Sequence, residues 1–564
     1  MKLNYFPVLI LTITCFLSLS LSSTDSINIS DFGAIPNDGK NDIDALRKAA
    51  AYCSTHPGTT LIIPEGVYDV VDQKAQEIAY KAITGVYGRT SSDTLFKHTF
   101  PYVKVLDFSG SKNITVEASG ATLNLHGWYE PVSIVQSQNF LLKGLSINYN
   151  RPPNTVGKII NKQADYFDVV IDTAKYTFLQ GKVTGPTMVY DIVKNRVNEH
   201  LDIKGKSMIA PTIMRVASKS IVNIGDFFIV RHSYHYRPAI LIKESSAVTL
   251  QDVKIHSQCG MGVVGHRSGN ITMKNLQVIP EAGTYISTNT DATHFTDCKG
   301  EIVFDGCKFE GQGDDCTNVH SYYYTVYPEK QRNKVEIKVE KADVHALSLS
   351  YPDKGDTLSL VSRASLSVIR QYVVKEVFTS EKDWKVSVIL DGEIPENEKD
   401  YFLFNENRRP AVQILNCTVR SHRARPFLIK TNNVLIKGNV MQNCTGSAIQ
   451  IGAEGGWREG GPVKNITIED NWILDCAYEW GAAIAIGNSG ISELSGQSNS
   501  NIMIRNNVIR MSCRDAISVT DAKNITIKNN QISGTTNAVF LRNTSGVTLK
   551  NNGKLPVFEE EIKK

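Results

Sequence analysis

The chain has 564 residues, enough for several ordinary domains or for one long repetitive scaffold that carries insertions. Its 61 Lys and Arg residues nearly balance its 57 Asp and Glu residues, and the formal charge of +4 is spread without a basic run. This composition argues against a nucleic acid as the partner.

The N-terminus has the pattern of an export signal. A basic start precedes the apolar stretch Tyr5–Leu21, and small residues follow it. This order predicts a signal peptide over residues 1–22. Membrane anchoring is the alternative, but the stretch is short for a span of about 20 residues. A lipid on Cys15 is a second alternative. We expect an exported protein, whether periplasmic, cell-surface or extracellular, with no membrane span in the mature chain.

A short helix is expected soon after the signal. Asp42–Cys53 has helical periodicity, between an extended segment at Ile27–Phe32 and another at Leu61–Tyr68. This order resembles the N-terminal cap of pectin-degrading and related β-helix enzymes. The resemblance implies that the helix closes the open end of a stack of strands.

An Asn-Ile-Thr motif followed by an apolar residue recurs at Asn113, Asn270, Asn465 and Asn524, and successive related motifs lie 22 or 23 residues apart. Runs of alternating apolar residues, separated by Asn, Gly and Asp, are typical of short strands joined by tight turns. Strands this short need identical neighbours to form a core. The repeat therefore predicts an all-β fold, a right-handed parallel β-helix with Asn ladders at its turns. A β-propeller is the alternative fold, but its repeat is longer, about 40–45 residues.

Two long stretches lack the repeat and carry longer alternating strands, which predicts two inserted small β-barrel-like domains. The expected organisation is a signal peptide, two inserted domains and three β-helix parts. In chain order, the six segments are a signal at 1–22, a capped N-terminal β-helix part at 23–151, an insertion at 152–238, the catalytic coils of the β-helix at 239–321, an insertion at 322–408 and a C-terminal β-helix part at 409–564.

Nine cysteines remain after the signal, and four of them follow a small polar residue, at Cys417, Cys444, Cys476 and Cys513. Such a repeating position predicts free thiols that face the core of the stack. The sequence has no cysteine or histidine spacing typical of zinc, so no metal and no cofactor are expected.

A cluster of acidic residues lies just before the second insertion. Aligning residues 289–295 over 312–319 places Asp291 at the coil position of Asp314, with Asp315 beside it. Stacked strands lie about 4.8 Å apart, so the three carboxylates should be close. Turn aspartates and a calcium site are the alternatives.

The motifs Asn289-Thr290-Asp291 and Asp314-Asp315-Cys316 resemble the catalytic motifs of polygalacturonases, glycoside hydrolase family 28. The chain departs from that family because it has no Gly-His-Gly motif after the doublet and no Arg-Ile-Lys motif for a uronate. Over nearly its whole length it is more similar to glycoside hydrolase family 110. That resemblance implies an exo-acting α-1,3-galactosidase that acts on blood-group-B-type glycans, with linear Galα1-3Gal left open.

The polygalacturonase resemblance also implies roles for the three aspartates. Asp314 would be the general acid, and Asp291 and Asp315 would hold and deprotonate a water, giving inversion. The expected spacing of about 5 Å is nevertheless short for inverting pairs, which usually stand about 6.5–9.5 Å apart.

Other residues are expected to surround the sugar. Aligning Cys417–Arg425 over Cys307–Asp315 places Arg425 at the coil position of Asp315, where its charge could separate the acid from the base. The further candidates for substrate binding are a second arginine, two histidines beside the acids, and an indole and carboxylates on the glycine-rich loop Gly452–Gly461. They are Arg423, His294, His320, Trp457, Glu454 and Glu459.

The expected partner is an oligosaccharide or glycoconjugate with a terminal α-galactose, and a homodimer is left open. Three alternatives stay open at this stage: a polysaccharide hydrolase of polygalacturonase type, a calcium-dependent polysaccharide lyase, and a non-catalytic glycan-binding β-helix.

Overall fold

A computed structural model describes residues 25–87, 100–233, 235–339, 350–383, 385–493, 496–511 and 513–560. The predicted signal peptide and Cys15 lie outside these ranges. Strands account for about 51% of the chain and helices for about 7%. In the described ranges, no helix combines the length and apolar character needed to cross a membrane.

The main body is a right-handed parallel β-helix with three faces. Along each coil the chain passes from the third face to the second, then to the first, and returns to the third. Every pairing within the three faces is parallel. The described strands of the first face are Ser26–Asn28, Thr60–Ile62, Lys112–Glu117, Gln138–Lys143, Ser246–Gln251, Gly269–Lys274, Lys299–Asp305, Ala411–Leu415, Val434–Lys437, Lys464–Glu469 and Asn499–Arg505.

The second face carries the strands around the acidic cluster. Its described strands are Lys104–Asp107, Glu130–Val135, Ile240–Lys243, Val263–His266, Thr293–Thr296, Thr317–His320, Phe427–Ile429, Ile449–Ile451, Ile484–Ile486 and Val557–Glu560. Two long strands, Asp515–Lys528 and Asn537–Lys550, continue from the second face into the first. The third face contains Gly66–Val71, Ala121–His126, Ser146–Tyr149, Lys254–Ile255, Gln277–Val278, Lys308–Glu310, Thr418–His422, Val440–Cys444, Trp472–Leu474, Val508–Arg510 and Gln531–Ser533.

Two antiparallel sheets interrupt the coils. The first leaves the third face after Ser146–Tyr149 and contains the seven strands Asn154–Lys162, Tyr166–Ile171, Thr187–Asp191, Arg196–Asn198, Ile203–Ala210, Ile213–Ser218 and Phe227–Arg231. The second leaves the second face after Thr317–His320 and closes into a barrel of Tyr323–Pro328, Lys334–Lys338, Thr357–Ser362, Val368–Ser380, Lys385–Leu390 and Tyr401–Asn405. We call them the seven-stranded sheet and the barrel.

The predicted helix is present as α1, Ile43–Thr55, and its buried residues Leu46 and Ala49 join the same apolar core as the coils. A second helix, α2, spans Gln73–Ile83 and was not predicted. The Asp72 carboxylate caps it by accepting backbone N–H bonds from residues 74 and 75. Short 3-10 helices occupy Ile29–Phe32, Glu398–Asp400 and Gly455–Trp457.

Asparagine ladders hold successive coils together, as the repeat predicted. At the exposed turns, Asn465 donates to Asn433 at 2.9 Å and Asn501 donates to Asn465 at 3.0 Å, all three with positive φ. Inside the stack, Asn471 donates to the side chain of Asn507 at 2.9 Å, and Asn507 donates to Asn530 at 3.0 Å. Asparagine fits the exposed turns because it tolerates the left-handed conformation.

The cysteines follow the expected pattern. All nine described cysteines are free, and all except the half-buried Cys513 are buried. Burial raises the pKa of the Cys53 thiol to about 12, so this group packs as a small apolar side chain.

Candidate active site

The acidic cluster lies at the bend between the third and second faces. Asp291 precedes the strand Thr293–Thr296, and Asp314 and Asp315 precede Thr317–His320. One carboxylate oxygen of each aspartate lies within 4.8 Å of the others. The structure therefore brings together the three acids that the sequence singled out.

The strand register corrects the predicted alignment of these acids. Thr293 pairs with Thr317, so the coil step at this point is 24 residues rather than 23. Asp291 therefore stacks on Asp315, and Asp314 lies one position earlier in the bend. The alignment failed because residues in a bend are not held by the alternating pattern of a strand. The predicted position of Arg425 is confirmed, because Thr317 pairs with Phe427 and this register stacks Arg425 on Asp315.

Arg425 holds Asp315 at three points. Its backbone N–H donates to Oδ1 of Asp315 at 3.0 Å, its Nε donates to the same oxygen at 2.8 Å, and its second terminal nitrogen donates to Oδ2 at 2.9 Å. Burial disfavours the charged guanidinium, but the attraction of Asp315 and Glu454 outweighs this effect and raises the pKa of Arg425. The fork therefore pairs the buried carboxyl group of Asp315 with a cation through charge-assisted hydrogen bonds.

Asp314 is held differently. A terminal nitrogen of Arg423 lies 2.6 Å from Oδ1 of Asp314, and Nε of the same arginine donates to Glu199. Glu199 follows the strand Arg196–Asn198 of the seven-stranded sheet, so the insertion reaches into the site. The Asp314 side chain is 20% exposed, against 5% for Asp291 and 6% for Asp315. Asp314 is thus the most accessible of the three acids.

Asp291 lies beside two histidines that contact each other. Its Oδ2 is 2.6 Å from Nδ1 of His294, and Nε2 of His294 is 3.0 Å from Nε2 of His320. Burial, followed by the charges of Asp314 and Asp315, raises the pKa of Asp291 well above its usual range. The structure thus places both predicted histidines in one chain of contacts that ends on an acid.

The glycine-rich loop contributes carboxylates rather than an indole. Glu454 lies 3.1 Å from a nitrogen of Arg425, and Nζ of Lys430 lies 2.8 Å from Glu454 and 2.6 Å from Glu459. By contrast, Trp457 is 65% exposed, and no hydrogen bond or ring contact joins its indole to the aspartates within the described ranges. The predicted stacking of a sugar on Trp457 finds no support here.

The loop is fixed on the barrel side. The Tyr323 N–H donates to the Arg458 carbonyl at 2.9 Å, and the Gly460 N–H donates to the Ser321 carbonyl at 2.8 Å. Glu459 is consequently 5% exposed. The sequence predicted a loop with exposed side chains, whereas the contacts with the barrel fold two carboxylates of the loop, Glu454 and Glu459, into the site.

Three side chains at the site were not predicted. Lys430 and Glu199 are described above, and the third is Trp480, whose indole lies 5.6 Å from the guanidinium carbon of Arg425. A Cβ built at Gly446 would lie 2.3 Å from this indole, so the glycine makes room for it. Trp480 is therefore an aromatic side chain beside the arginine that holds Asp315, and it is a candidate for contact with a sugar face.

The carboxylates are close enough together to share a cation. Arg423 and Arg425 already bring positive charge to Asp314 and Asp315. The arrangement therefore does not require a metal, and we derive no step through one. What it offers is a set of acids in three different environments, which is what acid–base hydrolysis needs.

Comparisons with known proteins agree with this chemistry. The alpha-1,3-galactosidase A of Shewanella woodyi is 29% identical over 552 residues, which covers 92% of this chain and 88% of that protein. The chain is a homologue of the alpha-1,3-galactosidases. The alpha-1,3-galactosidase A of Bacteroides fragilis is 26% identical over 580 residues, covering 97% of this chain and 94% of that protein. The resemblance stated from the sequence is confirmed, and the chain is a glycoside hydrolase.

Models of known protein families give no match to this chain. Among solved structures, an exopolygalacturonase from Thermotoga maritima matches with a TM-score of 0.41 and 12% identity, over 95% of this chain and 91% of that one. Similarity at this level is too low to support a conclusion about residues or function.

Proposed function

We propose that this galactosidase homologue is an exo-acting α-1,3-galactosidase that removes the terminal galactose of blood-group-B-type glycans with inversion. The observation that carries the proposal is the cluster of Asp291, Asp314 and Asp315 at one bend of the β-helix. Hydrolysis of a glycoside needs one carboxylic acid for the leaving oxygen and one carboxylate for the water or the sugar. The names of the homologues supply the galactose and its linkage.

Asp314 is the proposed general acid. It is the most exposed of the three aspartates, so it lies nearest to the mouth through which the rest of the glycan must leave. The guanidinium of Arg423 contacts both Asp314 and Glu199, so its charge is shared between two carboxylates.

Asp315 and Asp291 are the proposed partners of the attacking water. Three N–H groups of Arg425 occupy the oxygens of Asp315, which makes this carboxylate a poor nucleophile but leaves an acceptor position on Oδ2 for a water. This arrangement supports inversion. The spacing within 4.8 Å is closer to that of retaining pairs, about 5–5.5 Å, so the stereochemistry needs a direct test.

The charges favour a neutral sugar over a uronate. Three cations at the site each contact two carboxylates: Arg423 contacts Glu199 and Asp314, Arg425 contacts Asp315 and Glu454, and Lys430 contacts Glu454 and Glu459. A uronate carboxylate would therefore meet cations whose charge is already balanced. This argues against the polygalacturonase alternative.

Both insertions support exo action. Glu199 brings the seven-stranded sheet to one side of the cluster, where its neighbour Arg196 packs on the ring of Tyr478 at 4.6 Å. The barrel reaches the other side through a bridge between Tyr322 and Glu459. Walls on two sides suit a pocket that admits the end of a glycan.

The test is release of free galactose from a B trisaccharide and from linear Galα1-3Gal, in the presence of a chelator. Proton NMR of the fresh reaction should show β-galactose first, and initial α-galactose would refute inversion. No galactose from either substrate would refute the proposed activity. Loss of activity in the chelator, with an unsaturated ultraviolet-absorbing product, would instead indicate a lyase.

The roles of the acids are tested with three variants. Asp314→Asn should fail on natural glycans but recover in part on an activated aryl galactoside, whose leaving group needs little protonation. Asp291→Asn and Asp315→Asn should fail on both substrates. Partial recovery by Asp291→Asn instead of Asp314→Asn would exchange the two roles, and intact binding with no hydrolysis in the wild type would indicate a glycan-binding protein.

A further inference from the structure

The contacts of Asp291 continue through two imidazole rings to a backbone carbonyl. His294 lies between Asp291 and His320, and Nδ1 of His320 is 3.3 Å from the carbonyl oxygen of Ser321. The two rings are nearly perpendicular, with an interplanar angle of 85°. We call His294 and His320 the histidine pair.

The direction of each hydrogen bond follows from the last contact. A carbonyl oxygen can only accept, so Nδ1 of His320 carries a proton and donates to Ser321. If both histidines are neutral, Nε2 of His320 accepts from Nε2 of His294, and Nδ1 of His294 must then accept in turn. In that case Asp291 is the protonated donor.

A second arrangement contains the same number of protons. Here His320 carries a proton on both nitrogens and donates from Nε2 to His294, which donates from Nδ1 to an ionised Asp291. The two arrangements differ only by a shift of protons along two short contacts of 2.6 Å and 3.0 Å. No proton has to enter or leave the site.

The charges around the histidine pair favour a positive charge on His320. Oε1 of Glu459 lies 3.7 Å from Nε2 of His320, and Glu459 also holds Lys430. The barrel adds the ring of Tyr322, which meets His320 edge to face at 4.8 Å. On the adjacent coil, His266 is kept neutral because burial lowers its pKa well below the usual range.

We propose that the histidine pair holds the proton of Asp291 on His320, so that Asp291 faces the attacking water as a carboxylate. The inference rests on the proposed function, because it explains how an acid as buried as Asp291 can act as a base. His294 and His320 are thus positioning residues that act through Asp291, rather than sugar ligands.

The proton balance of a turnover is complete. The water oxygen bonds to the anomeric carbon, and the proton released from water goes to Oδ1 of Asp291, since Oδ2 faces His294. The glycosidic bond breaks as Asp314 gives its proton to the leaving oxygen. After the products leave, the proton on Asp291 returns through water to Asp314, and the histidine pair is unchanged.

Two variants of the histidine pair are decisive, because each keeps one hydrogen bond but interrupts the proton path from Asp291 through His294 to His320. The side-chain nitrogen of His294→Asn can replace Nδ1 and still donate to Asp291, but it cannot reach His320. His320→Gln can replace Nε2 and donate to His294, but it cannot hold a second proton. Both should lower kcat about 10- to 100-fold with little change in KM, and both should move the acidic limb of the kcat/KM profile upward by about one pH unit.

The two effects should not add, because both variants cut the same path. His126→Gln is the matched control, since it changes a histidine–aspartate contact with Asp69 on the third face and should leave kcat unchanged. A rise in KM with an unmoved pH profile would show that the histidines bind sugar, and restored activity in His294→Asn would show that only the hydrogen bond to Asp291 matters. Either result would overturn the proposal.

A second measurement does not depend on turnover. Nitrogen-15 NMR of the full chain labelled at histidine should show both His320 nitrogens protonated at neutral pH, and Asp291→Asn should return His320 to the neutral form. A neutral His320 in the wild type would refute the inference. If the imidazolium is present but no α-1,3-galactoside is cleaved, the proposed function fails while the protonation of the pair stands.

Discussion

Arg425→Met removes the guanidinium of Arg425 while keeping an unbranched apolar stem, and it tests the electrostatic design of the site. The variant loses both guanidinium bonds to Asp315 and the contact with Glu454, while the backbone N–H stays. The pair is largely buried, with side chains 16% and 6% exposed. Breaking such a pair leaves an uncompensated charge and costs about 3–5 kcal/mol. We expect the free energy of unfolding in urea to fall by this amount.

Activity should fall as well. Without the fork, Asp315 loses its cation and two of its three donors in a buried place, so it no longer holds the water in position. Proton transfer by a positioned group contributes about 10²- to 10⁴-fold, so kcat/KM for a B trisaccharide should drop by at least about 100-fold.

Arg505→Met is the matched control for this variant. Arg505 contacts Glu469 through two nitrogens at 2.7 Å and 2.6 Å, but its side chain is 40% exposed and belongs to the first face. The buried Glu469 keeps Lys437 at 2.9 Å when Arg505 is removed, so the loss of this partly exposed arginine should cost about 0–1 kcal/mol and the control should stay near wild type in stability and activity. If Arg425→Met resembles this control in both measurements, the assignment of Arg425 as the charge partner of the base is wrong.

Three further variants test other parts of the structure. Gly446→Ala should displace the Trp480 indole, because the new Cβ would lie 2.3 Å from it, and the KM for the glycan should rise about 10-fold. Gly456→Ala is its control and should leave KM unchanged, because its new Cβ meets no atom within 4 Å. Glu199→Gln should remove the carboxylate that shares Arg423 with Asp314, so that the guanidinium holds the general acid more tightly, and kcat on natural glycans should fall about 10-fold while an activated aryl galactoside is less affected. Asn507→Ala should lower the free energy of unfolding by about 2–4 kcal/mol in a urea titration, because it breaks several buried hydrogen bonds of the inner ladder.

The fold could be predicted from the repeat because stacking imposes a regular spacing on the sequence. Asn465 and Asn524 mark turns that must adopt positive φ in every coil, so the same residue recurs at the same place. The helix α2 was missed although its sequence carried a helical signal. Its buried residues Ala75, Ile78, Ala79, Ala82 and Ile83 recur at the spacing of one helix face, but three of the five are alanines, which are less conspicuous than large apolar side chains.

The site could be predicted only where residues lie on the repeat. Arg425 was placed correctly because it lies eight positions after Cys417, as Asp315 lies eight positions after Cys307. Asp291 was placed one position away, since the bend before its strand follows no alternating pattern. Glu199 and Lys430 could not be inferred at all, because only the folded chain brings the seven-stranded sheet and a later coil to the aspartates.

The positions of these unpredicted residues change the view of the two insertions. Glu199 reaches Arg423 from the seven-stranded sheet and shares the cation that contacts Asp314. On the other side, the barrel folds Glu459 onto the site, where this carboxylate faces His320 at 3.7 Å. Each insertion therefore places a carboxylate one contact away from a different part of the acid–base machinery. In our proposals Glu199 limits the attraction of Arg423 for Asp314. Glu459 stabilises the proton that the histidine pair withdraws from Asp291. The insertions act on the reaction through charge as well as through the shape of the pocket.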